Sequence, residues 1–229
     1  VPGGFLRLEL PRGKVLALRA YPLKAGQVNW SGRRDLRAAT GMSLLAPSYM
    51  ETGLTRYNQK RYFASRPTPV IETTLPEGNW RIFASLQCEV ENHKYWFNFV
   101  DPLNPQAVRL FLQLTHERYL ARYASEFGKT IRSIFTDETA PSWSALVPAA
   151  FQAKYGYDLL EHLEALQDSG YPNALKITAD RYHLLYELFV AAYDRPISEW
   201  CQAHGIAYCG EKPSLRLSQL QYMQIPGCE

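Results

Sequence analysis

The chain has 229 residues, with 25 Lys+Arg against 22 Asp+Glu and a formal net charge of +3. Its 46% hydrophobic and 21% charged residues exclude a disordered chain, and the near-balance of charge argues against a polyanion-binding specialist. No run approaches the ~18 continuous apolar residues of a membrane span, so neither a membrane nor a nucleic-acid partner is expected. The four cysteines (Cys88, Cys201, Cys209, Cys228) have no CxxC spacing. They read as reduced, mostly core thiols, compatible with a cytoplasmic protein. The chain opens on Val1 and ends on Cys228-Glu229, which reads as an excised fragment.

Residues 1 to about 90 read as β-rich. Phe5–Leu10 alternates apolar and polar residues, and Val15–Tyr21 has the pattern of a short buried strand. Pro11-Arg12-Gly13 between them reads as hairpin-like punctuation. Seven basic residues (Arg33, Arg34, Arg37, Arg56, Lys60, Arg61, Arg66) against Asp35 and Glu51 mark a solvated, loop-rich face, because no Gly-rich phosphate cradle accompanies them. Pro76-Glu77-Gly78-Asn79 predicts a turn into a strand over Trp80–Leu86.

From about residue 95 the pattern changes to strand, loop and helix. Trp96–Val100 predicts a strand ending at Asp101-Pro102. Asn104-Pro105 predicts a helix start, Asn as N-cap and Pro at the first position, with the helix running to about Phe127 and Gly128. Ile131–Phe135 predicts a strand followed at once by Thr136-Asp137-Glu138. Helices follow at about Pro148–Tyr155 and Leu159–Leu166, then a longer one over about Thr178–His204 that bends at Pro196. Ile206–Cys209 predicts a strand ending at Gly210-Glu211, and Gln221–Ile225 another.

Repeated strand–helix units imply a parallel sheet covered by helices, either doubly wound or a (β/α)8 barrel. No GxGxxG or P-loop follows any strand, which weakens nucleotide binding. A complete barrel needs ~250 residues. The expectation is therefore an α/β chain: residues 1–78 a small inserted or attached β-rich domain, and residues 79–229 part of a (β/α)8 barrel.

Acidic residues sit where three predicted strands end: Asp101, the pair Asp137 and Glu138, and Glu211. Carboxyl ends of strands face the active site in α/β sheets and barrels. Two carboxylates there suit acid/base chemistry, one donating a proton while its neighbour orients substrate hydroxyls. The structural alternative is that Asp101 and Asp137 cap turns or helices and that Glu211 is merely exposed. Among 30 aromatic residues, Tyr95, Trp96, Trp143 and Tyr222 fall in loops after strands, where flat rings could stack on sugars. A Tyr-rich core accounts for them equally well. Trp143 is the aromatic residue expected near a ligand. His116-Glu117 lacks the second His of HExxH, and no GxSxG appears. The sequon Asn29-Trp30-Ser31 has the chance frequency of such triplets.

Several runs together bring a family into view. They are Phe99–Val108, Leu114–Tyr119, Phe127–Ile131, Ile134–Glu138, Phe151–Leu160 and Trp200–Ile206. In these the chain resembles large bacterial glycosidases similar to the α-L-rhamnosidases of glycoside hydrolase family 106, over about residues 75 to 227. The resemblance implies a (β/α)8 catalytic barrel in a longer chain, a carbohydrate substrate, and cleavage by two carboxylic acids. It makes Glu138 the general acid and Glu211 the candidate second carboxylate, with Asp137 beside them. Asp101, Trp143 and Trp96 are candidate substrate contacts from their positions near the predicted strand ends rather than from the resemblance. Relatives often have His after the Gly corresponding to Gly210, where this chain has Glu211, so the second carboxylate could also lie beyond Glu229. Calcium is implied by the resemblance alone; the residues themselves indicate no metal or other cofactor. A catalytically silent carbohydrate-binding relative is the alternative function.

Overall fold

The structure, a computed structural model, describes residues 1–44, 48–52, 60–64, 67–88, 100–212 and 217–228. Trp96 and most of the strand expected at 96–100 lie outside the described residues, as do Tyr95, Arg56 and Arg66. The chain is mixed α/β and divides into two compact units, Val1–Phe99 with Asp158–Thr178, and Val100–Tyr157 with Ala179–Glu229.

The first unit is antiparallel. Its strands are β1 (Pro2–Glu9), β2 (Lys14–Lys24), β3 (Gln27–Val28), β4 (Arg34–Asp35), β5 (Thr40–Leu44), β6 (Ser48–Thr52), β7 (Lys60–Ala64) and β8 (Pro67–Gln87). The main sheet runs β1-β8-β2-β3, with β4 on β2 and β5 on β8, while β6 and β7 pair with each other. The expected β1–β2 hairpin at Pro11-Arg12-Gly13 does not form, because β8 lies between them and pairs with both. Its two apolar stretches supply both partners, and Leu10, Leu18, Ala20, Leu36, Ile71, Leu75 and Trp80 close one core. The turn expected at Pro76–Asn79 is likewise absent. β8 runs straight through it, and through the boundary drawn between residues 78 and 79, with Gly78 at φ +123° and a register shift opposite in β1.

Residues 158–178 cluster with this unit. Asp158 accepts from the Leu160 N–H and opens a 3-10 segment (Leu159–Leu166) broken at His162, where a regular helix was expected. Arg19 of β2 fastens the segment: Nη1 donates to both Glu164 oxygens at 3.0 and 2.9 Å, and Nη2 to the Leu160 carbonyl at 2.7 Å. Both charged side chains are 1% exposed. Nearby, Arg33 pairs with Glu161 at 2.8 Å and Arg37 with Asp35 at 2.6 Å, so part of the basic stretch is neutralised locally.

The second unit holds helices α1 (Pro105–Leu114), α2 (His116–Tyr123) and α3 (Val147–Tyr155), with β9 (Ser133–Asp137) between α2 and α3. It continues with α4 (Ala174–Phe189, of which Ala174–Thr178 group with the first unit), α5 (Arg195–Ala203), β10 (Ala207–Lys212), α6 (Leu217–Leu220) and β11 (Ile225–Cys228). Asn104 caps α1 as expected, accepting from the Gln106 and Ala107 N–H groups, with Pro105 at the first position. The single helix expected to about Phe127 breaks at Thr115, whose hydroxyl turns back to the Phe111 carbonyl at 2.6 Å. Gly156 closes α3 at φ +78°. The bend expected at Pro196 is a π-helical turn over Val190–Asp194, with Pro196 opening α5 just beyond it. Strands β11, β10 and β9 form a parallel sheet in that order. Among the described residues these three parallel strands do not close into a barrel.

Candidate functional site

Register fixes what the parallel sheet presents. Ala207, Cys209 and Glu211 of β10 pair with Ser133, Phe135 and Asp137 of β9, and Cys209 and Glu211 pair with Ile225 and Gly227 of β11. Partners in register point to the same face. One face therefore carries a row of Phe135, Cys209 and Ile225, with Phe135 58% and Ile225 54% exposed. The next row, at the carboxyl ends, holds Asp137 and Glu211. Tyr208, Gly210 and Lys212 alternate onto the other face and are buried. Gly210 is required there: a Cβ would come within 2.6 Å of the Thr136 Oγ1 and 2.7 Å of its carbonyl.

Asp137 and Glu211 are thus neighbours across adjacent strands, both half-buried. Glu138 follows where β9 ends, at φ +44°, a left-handed conformation that L residues seldom adopt. Strand alternation does not set its direction, because it no longer has strand geometry. Its N–H donates to the Glu211 carbonyl at 2.9 Å, so the turn carrying Glu138 is bonded to the strand carrying Glu211. Sequence reasoning placed these three acids at strand ends, and the structure brings all three to one edge.

Asp101 is engaged otherwise. Its Oδ1 accepts from the Leu103 N–H at 3.0 Å and its Oδ2 from the Ser144 hydroxyl at 2.6 Å, the pattern of a turn cap that ties residues 101–103 to the segment before α3. Trp143, next to Ser144, is half-buried. Trp96 lies outside the described residues.

Beneath the acidic edge lies a polar cluster that the sequence did not disclose. Asp194, at the end of the π-helical turn, is fully buried. It accepts from the Tyr208 hydroxyl at 2.8 Å and from Gln219 Nε2 at 3.0 Å, while Lys212 Nζ stands 3.4 Å away. The ammonium lies over the rings of Phe189 (5.0 Å) and Tyr193 (5.2 Å). Tyr208 also meets the Thr136 hydroxyl at 3.2 Å, which joins β9 to the cluster. Burial pushes the Lys212 pKa down, with Asp194 opposing. It pushes the Tyr208 phenol up, and Asp194 adds to that rise. The usable sequence signals were period-2 alternation from Tyr208 through Gly210 to Lys212, and an Asp set between Tyr193 and Ile197 in an apolar helical stretch. A charged residue at such a position reads as exposed until its partner is known.

Two grooves lie elsewhere. One of about 480 Å³ runs along Arg7, Ala38–Ser43, Val70 and Glu72 in the first unit. The other, about 360 Å³, is bordered by His183, Glu187, Arg195 and Tyr222 in the second. Neither includes the candidate carboxylates. Among the described residues no group of three or more His, Cys, Asp or Glu is placed to hold a metal ion, so calcium enters no step below. Cys88, Cys201 and Cys209 are free of disulfides: Cys88 is exposed, Cys209 half-buried and Cys201 buried, with burial raising the Cys201 pKa to about 12. Of these three, Cys201 alone is fully in a core. Among the described residues no helix is long and apolar enough to cross a membrane.

The chain matches no family model and no curated protein. Among solved structures it is similar to a rhamnosidase from Novosphingobium sp. PP1Y, at 13% identity and a TM-score of 0.44, over 96% of this chain and 29% of that one. The chain spans less than a third of that protein's length. A likeness of this size transfers no activity.

Proposed function

We propose that the second unit is part of the catalytic (β/α)8 barrel of a glycoside hydrolase, with its acids at the carboxyl edge of β9 and β10. The observation that carries this reading is the register pairing of Asp137 with Glu211, with Glu138 next in line and hydrogen-bonded to the Glu211 carbonyl. Glycoside hydrolysis needs one carboxylic acid to protonate the leaving oxygen and a second carboxylate to attack the anomeric carbon or activate water. Glu138, on a turn beyond the strand, is the general acid in this reading, and Glu211 the second carboxylate. Asp137 orients substrate hydroxyls.

The half-exposed row of Phe135, Cys209 and Ile225 supports the barrel reading, since these side chains occupy positions that face inward once a barrel closes. Asp101 is a turn cap here, and Trp143 flanks the sugar. The substrate is a carbohydrate, α-L-rhamnosides among the candidates, and unpaired thiols such as the exposed Cys88 suit a reducing cytoplasm. The test is a panel of chromogenic α- and β-glycosides, α-L-rhamnoside included, incubated with the full-length protein. Hydrolysis that is lost in Glu138→Gln supports the reading. Sugar binding without turnover by the wild type would make the protein a silent carbohydrate binder, and neither binding nor turnover would overturn the carbohydrate assignment.

A further inference from the structure

The buried ion pair of the second unit connects to the acidic edge through one peptide group. The carbonyl that accepts the Glu138 N–H belongs to the peptide between Glu211 and Lys212. The orientation of that peptide depends on where the Lys212 side chain is held. Lys212 is 1% exposed and Asp194 0%. An ammonium with no short hydrogen bond, 3.4 Å from its carboxylate and resting on two rings, is costly to bury unless its place is closely defined. A Met or Leu would fill the same space without that cost. Asp194 is itself held by Tyr208 and Gln219, so β10, α6 and the π-helical turn all converge on one carboxylate.

We propose that Asp194 and Lys212 are positioning residues for the acidic edge. The pair pins the Glu211–Lys212 peptide, that peptide's carbonyl holds the Glu138 N–H, and the bond keeps Glu138 in its left-handed conformation beside Glu211. The role of the edge rests on the glycosidase reading above, whereas the mechanical link from Asp194 to Glu138 does not. The π-helical turn fits this role. One extra residue in the helix brings Asp194 under β10, and such turns recur at functional sites.

The test is residue-resolved amide hydrogen exchange by NMR on the full chain, wild type against Lys212→Met, under conditions where both remain folded. The amides of Val108 and Leu112 in α1 serve as reference. The Glu138 amide of Lys212→Met is expected to exchange at least tenfold faster, with the reference amides changed less than twofold. Equal changes at Glu138 and in α1 would overturn the proposal, since a merely structural pair loosens the unit as a whole. Should Lys212→Met fail to fold, the second variant is Tyr208→Phe, which keeps every charge and removes the hydroxyl's bonds to Asp194 and to Thr136. It is expected to accelerate Glu138 exchange about threefold, under the same criterion. Exchange needs no substrate, so a silent glycoside panel would sink the functional reading and leave this link standing, while unaltered Glu138 protection would do the reverse.

Discussion

Glu138 carries a conformational cost that its neighbours do not. A non-glycine residue in the left-handed region is strained by about 1–2 kcal/mol, and such strain collects at functional sites. Glu138→Gly removes the strain but adds backbone freedom to the unfolded chain. The variant is therefore expected to unfold within about 1 kcal/mol of the wild type, measured by urea denaturation, while hydrolysis is lost. A loss of several kcal/mol would show that the side chain supports the fold. His116 makes a second prediction at this scale. The Thr115 hydroxyl spends its proton on the Phe111 carbonyl, so His116 Nδ1 donates to Thr115, and Nε2 is left buried without a partner between Phe111 and Trp200. Burial lowers its pKa to about 4, with Glu117 opposing. The unfolded chain, with a His pKa near 6.5, then binds the extra proton between pH 6.5 and 4. The stability from neutral His116 is whole above pH 6.5 and is lost as pH falls towards 4. Between pH 7 and pH 5 this residue accounts for about 2 kcal/mol of lost stability. His116→Phe should flatten the urea-derived pH profile by that amount, and an unchanged profile would show the imidazole to be accessible to protons.

Elements followed the sequence where local chemistry decides them and departed from it where distant partners do. The α1 start was legible in Asn104-Pro105, the α3 end in Gly156, and the acid-bearing strand end in Thr136-Asp137-Glu138, because caps, glycines and apolar runs act within a few residues. Partners far along the chain left no local mark. β8 takes the place of the hairpin at Pro11–Gly13, Thr115 interrupts the first long helix, and Asp194 and Lys212 are paired across 18 residues. The segment 159–166 belongs to the same class: its 3-10 form is set by the bonds of Arg19, 141 residues upstream of Leu160. Replacing Arg19 by Met strands Glu164 in the core and is expected to cost about 3–5 kcal/mol in urea denaturation. Arg19→Met/Glu164→Leu should return to within about 1–2 kcal/mol of the wild type. If the double variant remains as unstable as the single one, packing and not charge pairing holds the segment. At the N-cap of α1, Asn104→Ala is expected to cost about 1 kcal/mol in the same measurement.

Across the whole molecule, one unit is an antiparallel β assembly around β8, and the other holds a three-stranded parallel sheet in which β9 and β10 carry carboxylates at their carboxyl ends. The second is α/β in character: short strands in parallel register, helices between them, and acids where β9 and β10 stop. Strand–helix alternation made the α/β character readable, whereas closure of a barrel depends on strands that the three seen here do not supply. The central claim is that Glu138 protonates a glycosidic oxygen. A missing general acid matters only when the leaving group needs a proton, so the direct measurement is kcat/KM of the full-length wild type and Glu138→Gln on two glycosides of one sugar, one alkyl and one dinitrophenyl. The account predicts a loss of about 10²–10⁴ on the alkyl glycoside and little loss on the dinitrophenyl one. Equal losses on both, or none on either, would contradict it.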